Sequence, residues 1–228
     1  YSTFLQRSYD QLIHDVAMQN LKVIFAIDRA GFVGEDGESH QGVFDTAFLN
    51  SVIGLTVFAP SYYDELEAMF YEGIYKIKGA AAIRYPRGNE KYRPENYQYN
   101  HESYNVFGDN TANNCIVTYG REFSECIKAY ESLENTFVIK LNRIKPIDRN
   151  VLNELKNTKN IFFFEEAIAS GGIGEAFGNM LAENNISAFY KHISITDEFV
   201  KQASVDSQMK AYKLDCDSII REVNNAIK

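Results

Sequence analysis

Residues 22–45, KVIFAIDRAGFVGEDGESHQGVFD, decide the fold. The first seven form a β-rich, nearly continuous apolar run that opens into glycine-rich sequence, the pattern of a strand buried on both faces of a parallel sheet and ending in a loop. Upstream, Leu5, Tyr9, Leu12, Ile13, Val16 and Ala17 recur at helical spacing across residues 4–20, with Ser2 or Thr3 available as N-cap. Downstream the unit repeats: a strand over residues 53–59, a helix over 64–77 with Leu66, Met69, Phe70 and Ile74 on one face, and a strand over 80–85. Residues 89–114, rich in Asn, Tyr, Glu and turn formers, show neither period, and the domain boundary is placed there. Alternation then resumes, with strands over 115–119, 136–141, 160–165 and 188–193 and helices over 122–133, 148–156, 174–183 and 217–227. The expected fold is α/β, with two domains, each a mostly parallel sheet flanked by helices.

At 228 residues the chain can bury a core without staples. Lys plus Arg number 23 against 31 Asp plus Glu, a net charge of −8, so the broad basic footprint of a nucleic-acid or anionic-membrane binder is missing and any bound phosphate must meet a local site. Cys115, Cys126 and Cys216 form neither a disulfide framework nor a zinc ribbon, which points to a reducing, cytoplasmic setting. Apolar runs such as 23–27 and 161–164 fall far short of the ~20 residues of a membrane span. Tyr1 opens the chain directly into a helical pattern, so a fragment or processed chain is expected.

In an open parallel sheet the ligand crevice lies beyond the carboxyl ends of the strands. Arg29 and Arg87 both follow predicted strands, and two guanidinium groups converging there would suit a phosphate or carboxylate. The competing reading pairs each with a neighbouring carboxylate. Between them, Gly31, Gly34, Gly37 and Gly42 give residues 29–45 the character of an active-site loop, in which Asp36 stands four residues from His40, a spacing that lets the carboxylate orient the imidazole for proton transfer. The competing reading there is a solvated surface histidine. Asp36, Glu38 and His40 match no metal-site spacing, so no metal ligand is assigned. A second glycine cluster, residues 170–178, fits a dinucleotide fingerprint poorly, because Glu165 and Glu166 would repel a diphosphate; close helix–sheet packing accounts for it better. His14, His101 and His192 read as accommodated side chains, and the 15 Tyr and 16 Phe as core and interface packing.

The stretches YSTFLQR, DRAG, DG-x-x-HQG-x-FD and RYPRG, continued by KLNRIKPID and FFFEEAIASGGIGEAFGNML, resemble the 1-deoxy-D-xylulose 5-phosphate synthase family of the transketolase superfamily. The resemblance spans essentially the whole chain. It implies a partial pyrimidine-binding domain with linker over residues 1–104 and a transketolase C-terminal domain over 105–228. It also implies a thiamine-diphosphate-dependent condensation of pyruvate with glyceraldehyde 3-phosphate that releases carbon dioxide and feeds isoprenoid and thiamine synthesis. Phe4 would stack on the cofactor's aminopyrimidine with Arg7 nearby; Tyr1, Arg29 and Arg87 would grip the acceptor's phosphate; Asp36 and His40 would handle protons beside the thiazolium. The family's activating glutamate and its magnesium–diphosphate motif lie upstream of the residue matching Tyr1. This polypeptide alone is therefore expected neither to hold the cofactor tightly nor to turn over, and to work with an N-terminal cofactor-binding domain in a homodimer. Transketolases and 2-oxoacid dehydrogenase β subunits share the domain plan, and a non-catalytic dimerisation module is the alternative of another class. One departure stands out: where the family often carries a Pro-His-Gly turn, Asp197 leads into residues 198–204, EFVKQAS.

Overall fold

The computed structural model describes residues 1–226. The chain enters along one helical path made of α1 (Ser2–Leu5), a 3-10 turn (Gln6–Ser8), α2 (Tyr9–Gln11) and a π turn (Leu12–Ala17). The π turn is fixed by i→i−5 bonds from Met18 N to Ile13 O, 2.8 Å, and from Leu21 N to Val16 O, 3.0 Å. Of the predicted apolar stripe only Leu12 is fully buried; Leu5, Tyr9, Ile13, Val16 and Ala17 lie partly covered against the core.

Strand β1 (Ile24–Ile27) leads into the loop of residues 29–45, which closes on itself through paired 2.8 Å bonds between Gly31 and Gly42. Then come α3 (Asp45–Ser51), β2 (Thr56–Phe58), α4 (Tyr63–Tyr75) and β3 (Ala81–Arg84). The predicted strand over 53–59 starts late because Gly54, at φ +76°, turns the chain first and leaves Ile53 in solvent. Parallel strands β1, β3 and β2 form one sheet in the order β1-β3-β2. The expectation that β1 is covered on both faces is corrected: it is an edge strand with Ala26 exposed and only Ile27 buried, because β3 alone pairs with it. The fully covered strand is β3, and Met69 of α4 packs on it with Phe58.

The second half contributes β4 (Tyr104–Phe107), β5 (Asn114–Tyr119), α5 (Glu122–Tyr130), β6 (Thr136–Leu141), β7 (Arg143–Lys145), α6 (Val151–Glu154), β8 (Asn160–Ile168), α7 (Ile173–Glu183), β9 (Phe189–Ile195), α8 (Val205–Ala211) and α9 (Cys216–Ala226). Its sheet runs β4-β6-β5-β8-β9, parallel except for β4, which pairs antiparallel with β6. The fold is thus α/β with two mostly parallel sheets flanked by helices. Four elements escaped the periodicity, α3 of the first half among them. Strand β4 lies in a stretch expected to be irregular, where cross-strand pairing with an apolar neighbour overrides weak local propensity. The short β7 adds an antiparallel strand to the first sheet beside β2, and α8 covers the loop of residues 29–45. The final helix was expected to reach Ile227, which lies outside the described residues.

Buried charge ties the two halves together. The Lys140 ammonium of β6 lies 2.9 Å from the Glu65 carboxylate of α4, both at 0% side-chain exposure. Glu65 also accepts from Ser61 N at 2.7 Å and from the Tyr97 hydroxyl at 2.5 Å. Burial pulls the Lys140 ammonium below its ordinary range while Glu65 opposes that pull. Arg121, just before α5, reaches Glu166 of β8 and donates to Phe32 O at 3.0 Å and Arg87 O at 3.3 Å.

Candidate functional site

Every side chain singled out for the first domain gathers at the carboxyl end of β1 and β3. Ser2 N donates to Asp28 O at 2.8 Å, which brings Tyr1 and Phe4 of the entering helix to the loop. Gly42 makes that approach possible, since a Cβ there would sit 1.9 Å from Arg29 O and 2.9 Å from Ser2 Oγ. Arg29 adopts φ +60°, a left-handed conformation that a long side chain rarely takes, at a cost on the order of 1–3 kcal/mol. The turn carries its guanidinium over the Tyr1 ring, 4.7 Å from the centroid.

The centre of the cluster is Asp36. Its carboxylate accepts from Arg87 Nη1 at 2.5 Å and from the Tyr1 hydroxyl at 3.4 Å, and stands 3.7 Å from Arg29 Nε. Arg29 Nη1 pairs with Asp28, while its Nε is buried and makes no hydrogen bond among the described residues. The two readings of the arginines therefore merge: each pairs with a carboxylate, and both converge on the same one. The Arg87 hydrogen bond is the main reason the Asp36 carboxyl lies below its ordinary range, and the same bond raises Arg87. Desolvation, then the Asp36 charge, pushes the Tyr1 hydroxyl up.

Phe4, 41% exposed, meets Tyr1 edge-on at 4.6 Å and the His40 imidazole edge-on at 5.4 Å; Arg7 lies 5.4 Å over its ring. Phe4 thus keeps part of its surface in solvent beside Arg7 and His40. The expected Asp36–His40 pairing is corrected. Asp36 is drawn to the arginines, whose full charges outcompete an imidazole, and His40 Nδ1 lies instead 2.9 Å from Ser39 Oγ. Arg29 and Arg87 meet Asp28 and Asp36 here, Arg7 lies over Phe4, and Glu35 adds a further carboxylate beside Arg87. A cleft of about 260 Å³ opens beside Arg87, lined by Gly34, Glu35, Ser204 and Val205 among others. A roomier cleft of about 590 Å³ lies between Phe44 and residues 195–199 and includes Asp197 and Glu198, a poor setting for an anion.

Several supporting residues were not anticipated. Arg84, of the same RYPRG stretch as Arg87, is buried and bidentate to Asp45 at 3.1 Å through Nε and Nη2. Gln41 accepts from Val33 N at 2.9 Å and donates to Gly37 O at 3.2 Å, bracing the loop from within. A glutamine between a polar residue and a glycine that packs on backbone is the signal that could have found it. The second glycine cluster is packing, as expected: a Cβ at Gly174 would lie 2.3 Å from His192 Nε2 and one at Gly178 2.8 Å from Tyr190. Glu165 caps α7 by accepting from Gly174 N at 3.0 Å, and pairs with His192 Nε2 at 2.6 Å. His14 faces Asp10 and His101 faces Glu72. Among the described residues no three His, Cys, Asp or Glu side chains gather as a metal site, and no helix is long and apolar enough to cross a membrane.

Residues 1–91 match the family model of the transketolase pyrimidine binding domain, and residues 110–219 match that of the transketolase C-terminal domain. The chain is 40% identical to the 1-deoxy-D-xylulose-5-phosphate synthase of Marinomonas sp. (strain MWYL1), with 98% of this chain and 36% of that protein covered. It is 38% identical to the synthase of Clostridium tetani over 98% of this chain and 37% of that protein. With the synthase of Idiomarina loihiensis it shares 40% identity over 100% of this chain and 37% of that protein. The chain thus spans little more than a third of the length of these relatives. A solved structure described as a split-gene transketolase, inactive beta4 tetramer, superposes with a TM-score of 0.85 over 99% of this chain and 74% of that one, at 20% identity.

Proposed function

Because the chain belongs to the transketolase family, through its pyrimidine-binding and C-terminal domains, we propose that it is the acceptor-gripping part of a 1-deoxy-D-xylulose-5-phosphate synthase. In this reading residues 1–104 are the partial pyrimidine-binding domain with linker and residues 105–228 the C-terminal domain. The reaction is the condensation of pyruvate with glyceraldehyde 3-phosphate, with release of carbon dioxide. Thiamine diphosphate, when bound, supplies the carbanion chemistry.

The observation that carries the proposal is the convergence of Arg29, Arg87 and Tyr1 on one carboxylate, Asp36. The cluster holds an anionic oxygen pair, the chemistry that a phosphate would offer it, and Arg29 Nε stands 3.7 Å from that carboxylate without a hydrogen bond among the described residues. Arg29 and Arg87 grip the phosphate and Tyr1 adds a hydroxyl donor. The exposed face of Phe4 stacks on the aminopyrimidine, with Arg7 beside it. His40, close to both Phe4 and Tyr1, holds or moves a proton at the reacting end. Magnesium and the diphosphate are assigned to a segment of the enzyme outside residues 1–228. The working form in this reading is a cytoplasmic homodimer.

The test is complementation. Mixed with the N-terminal cofactor-binding segment of a related synthase, thiamine diphosphate and magnesium, the chain is expected to convert pyruvate and glyceraldehyde 3-phosphate to the deoxy sugar phosphate. The chain alone is expected to give no turnover and no tight, magnesium-dependent cofactor binding by calorimetry. A ketose donor used in place of pyruvate would favour a transketolase, and assembly without turnover would favour a non-catalytic module.

A further inference from the structure

The segment after Asp197 packs directly on the loop that carries Asp36. Gln208 of α8 is buried and uses both ends of its amide. Its Oε1 accepts from Gly34 N at 3.1 Å, and its Nε2 donates to Lys201 O at 2.8 Å. Gly34 opens the 3-10 turn Gly34–Asp36 at φ +67°, and even a Cβ there would press on Ala203 O and on Val205 at 3.2 Å. Two further contacts run across the same seam. Gln202 Nε2 donates to Glu35 O at 2.9 Å, and Lys201 Nζ pairs with Glu38 at 2.9 Å. Ser204 and Val205 also line the cleft beside Arg87.

We infer that Gln208 is a positioning residue by which the C-terminal domain sets the reach of Asp36 toward Arg29 and Arg87. The physical reason is economy of restraint. Gly34 is buried, and among the described residues its N–H finds its acceptor only in a side chain from the other domain, so the turn that ends in Asp36 is referenced to α8. Gln41 fixes the loop to itself, whereas Gln208 fixes it to α8 and, through Lys201 O, to the segment before that helix. For substrate selection this rests on the acceptor reading proposed above; the positioning itself does not.

The test uses the 228-residue chain. Gln208→Met keeps volume but removes the acceptor, and is expected to speed hydrogen exchange at the Gly34 amide about tenfold or more. Carbon-13 titration of the Asp36 carboxyl is expected to move up toward the ordinary aspartate range as contact with the arginines loosens. Gln208→Glu keeps an acceptor for Gly34 N but loses the donor to Lys201 O, and is expected to restore the exchange protection in part, and more fully at a pH low enough to protonate the new carboxyl. Gln202→Ala, a surface change that spares the core, is expected to move both readouts in the same direction by less. An Asp36 titration that stays at its wild-type position in both Gln208→Met and Gln202→Ala would overturn the inference, whatever happens to the melting temperature. None of these readouts needs turnover, so a chain that fails the complementation assay yet shows them would lose the proposed function and keep the positioning role. In the complemented enzyme Gln208→Met is expected to raise KM for glyceraldehyde 3-phosphate more than KM for pyruvate; an equal rise would break the link to substrate selection.

Discussion

Two arginine–carboxylate pairs of similar chemistry lie side by side in space, Arg121 donating to the Arg87 carbonyl at 3.3 Å, yet differ sharply in burial. Arg87 and Asp36 are paired at 53% and 27% side-chain exposure, whereas Arg121 and Glu166 are paired at 7% and 6%. Water and a competing anion reach the first pair and not the second. An exposed pair contributes little to stability, so its partners remain available to a ligand; a buried pair is strongly destabilising to break, because the survivor is left desolvated. In the proposed reading the same hydrogen-bond chemistry would serve recognition at the loop, while at the seam it joins the two halves, and burial separates the two pairs.

The contrast is broken most severely on the buried side. Arg121→Ala is expected to cost about 3–5 kcal/mol in urea unfolding, because it strands Glu166 and removes the donor to Phe32 O. A loss below ~1 kcal/mol would show that Glu166 is solvated and that the two pairs are alike. Next in size, Gly42→Ala is expected to cost roughly 1–3 kcal/mol or more, since its Cβ meets backbone rather than a side-chain tip. It should also loosen the Tyr1–Arg29 contact, visible as increased exchange at Ser2 N–H. On the exposed side Arg87→Ala is expected to leave the melting temperature nearly unchanged. The pH dependence is the smallest effect. The Asp36 carboxyl titrates below its unfolded value because Arg87 donates to it, so the link is present in full above the ordinary aspartate range and is lost only as pH falls through the depressed folded value. In Arg87→Ala the Asp36 titration, followed by carbon-13 NMR, is expected to move upward; no movement would mean that Arg87 does not hold it in solution.

Much of this was legible in the sequence. The run KVIFAID placed a strand end at Arg29, RYPRG placed another at Arg87, and the rule that ligands meet the carboxyl ends of parallel strands brought the two together. The glycines of residues 29–45 marked the loop, and Gly42 has a packing reason that no periodicity conveys. What stayed hidden depends on partners distant in sequence. Asp36 was paired with His40 on spacing, yet Arg87, fifty-one residues away, takes it. Gln208 stands 174 residues from Gly34, and nothing local distinguishes it from any helix glutamine. The edge position of β1 and the transfer of β7 to the first sheet likewise depend on which strand lies alongside, a property of the assembled sheet rather than of either segment.

In the proposed function Arg87 and Arg29 hold the phosphate of the acceptor. Steady-state kinetics of Arg87→Ala in the complemented enzyme tests it most directly. The account predicts that KM for glyceraldehyde 3-phosphate rises about tenfold or more while KM for pyruvate stays near its original value. An equal change in both constants, or a change confined to pyruvate, would contradict it.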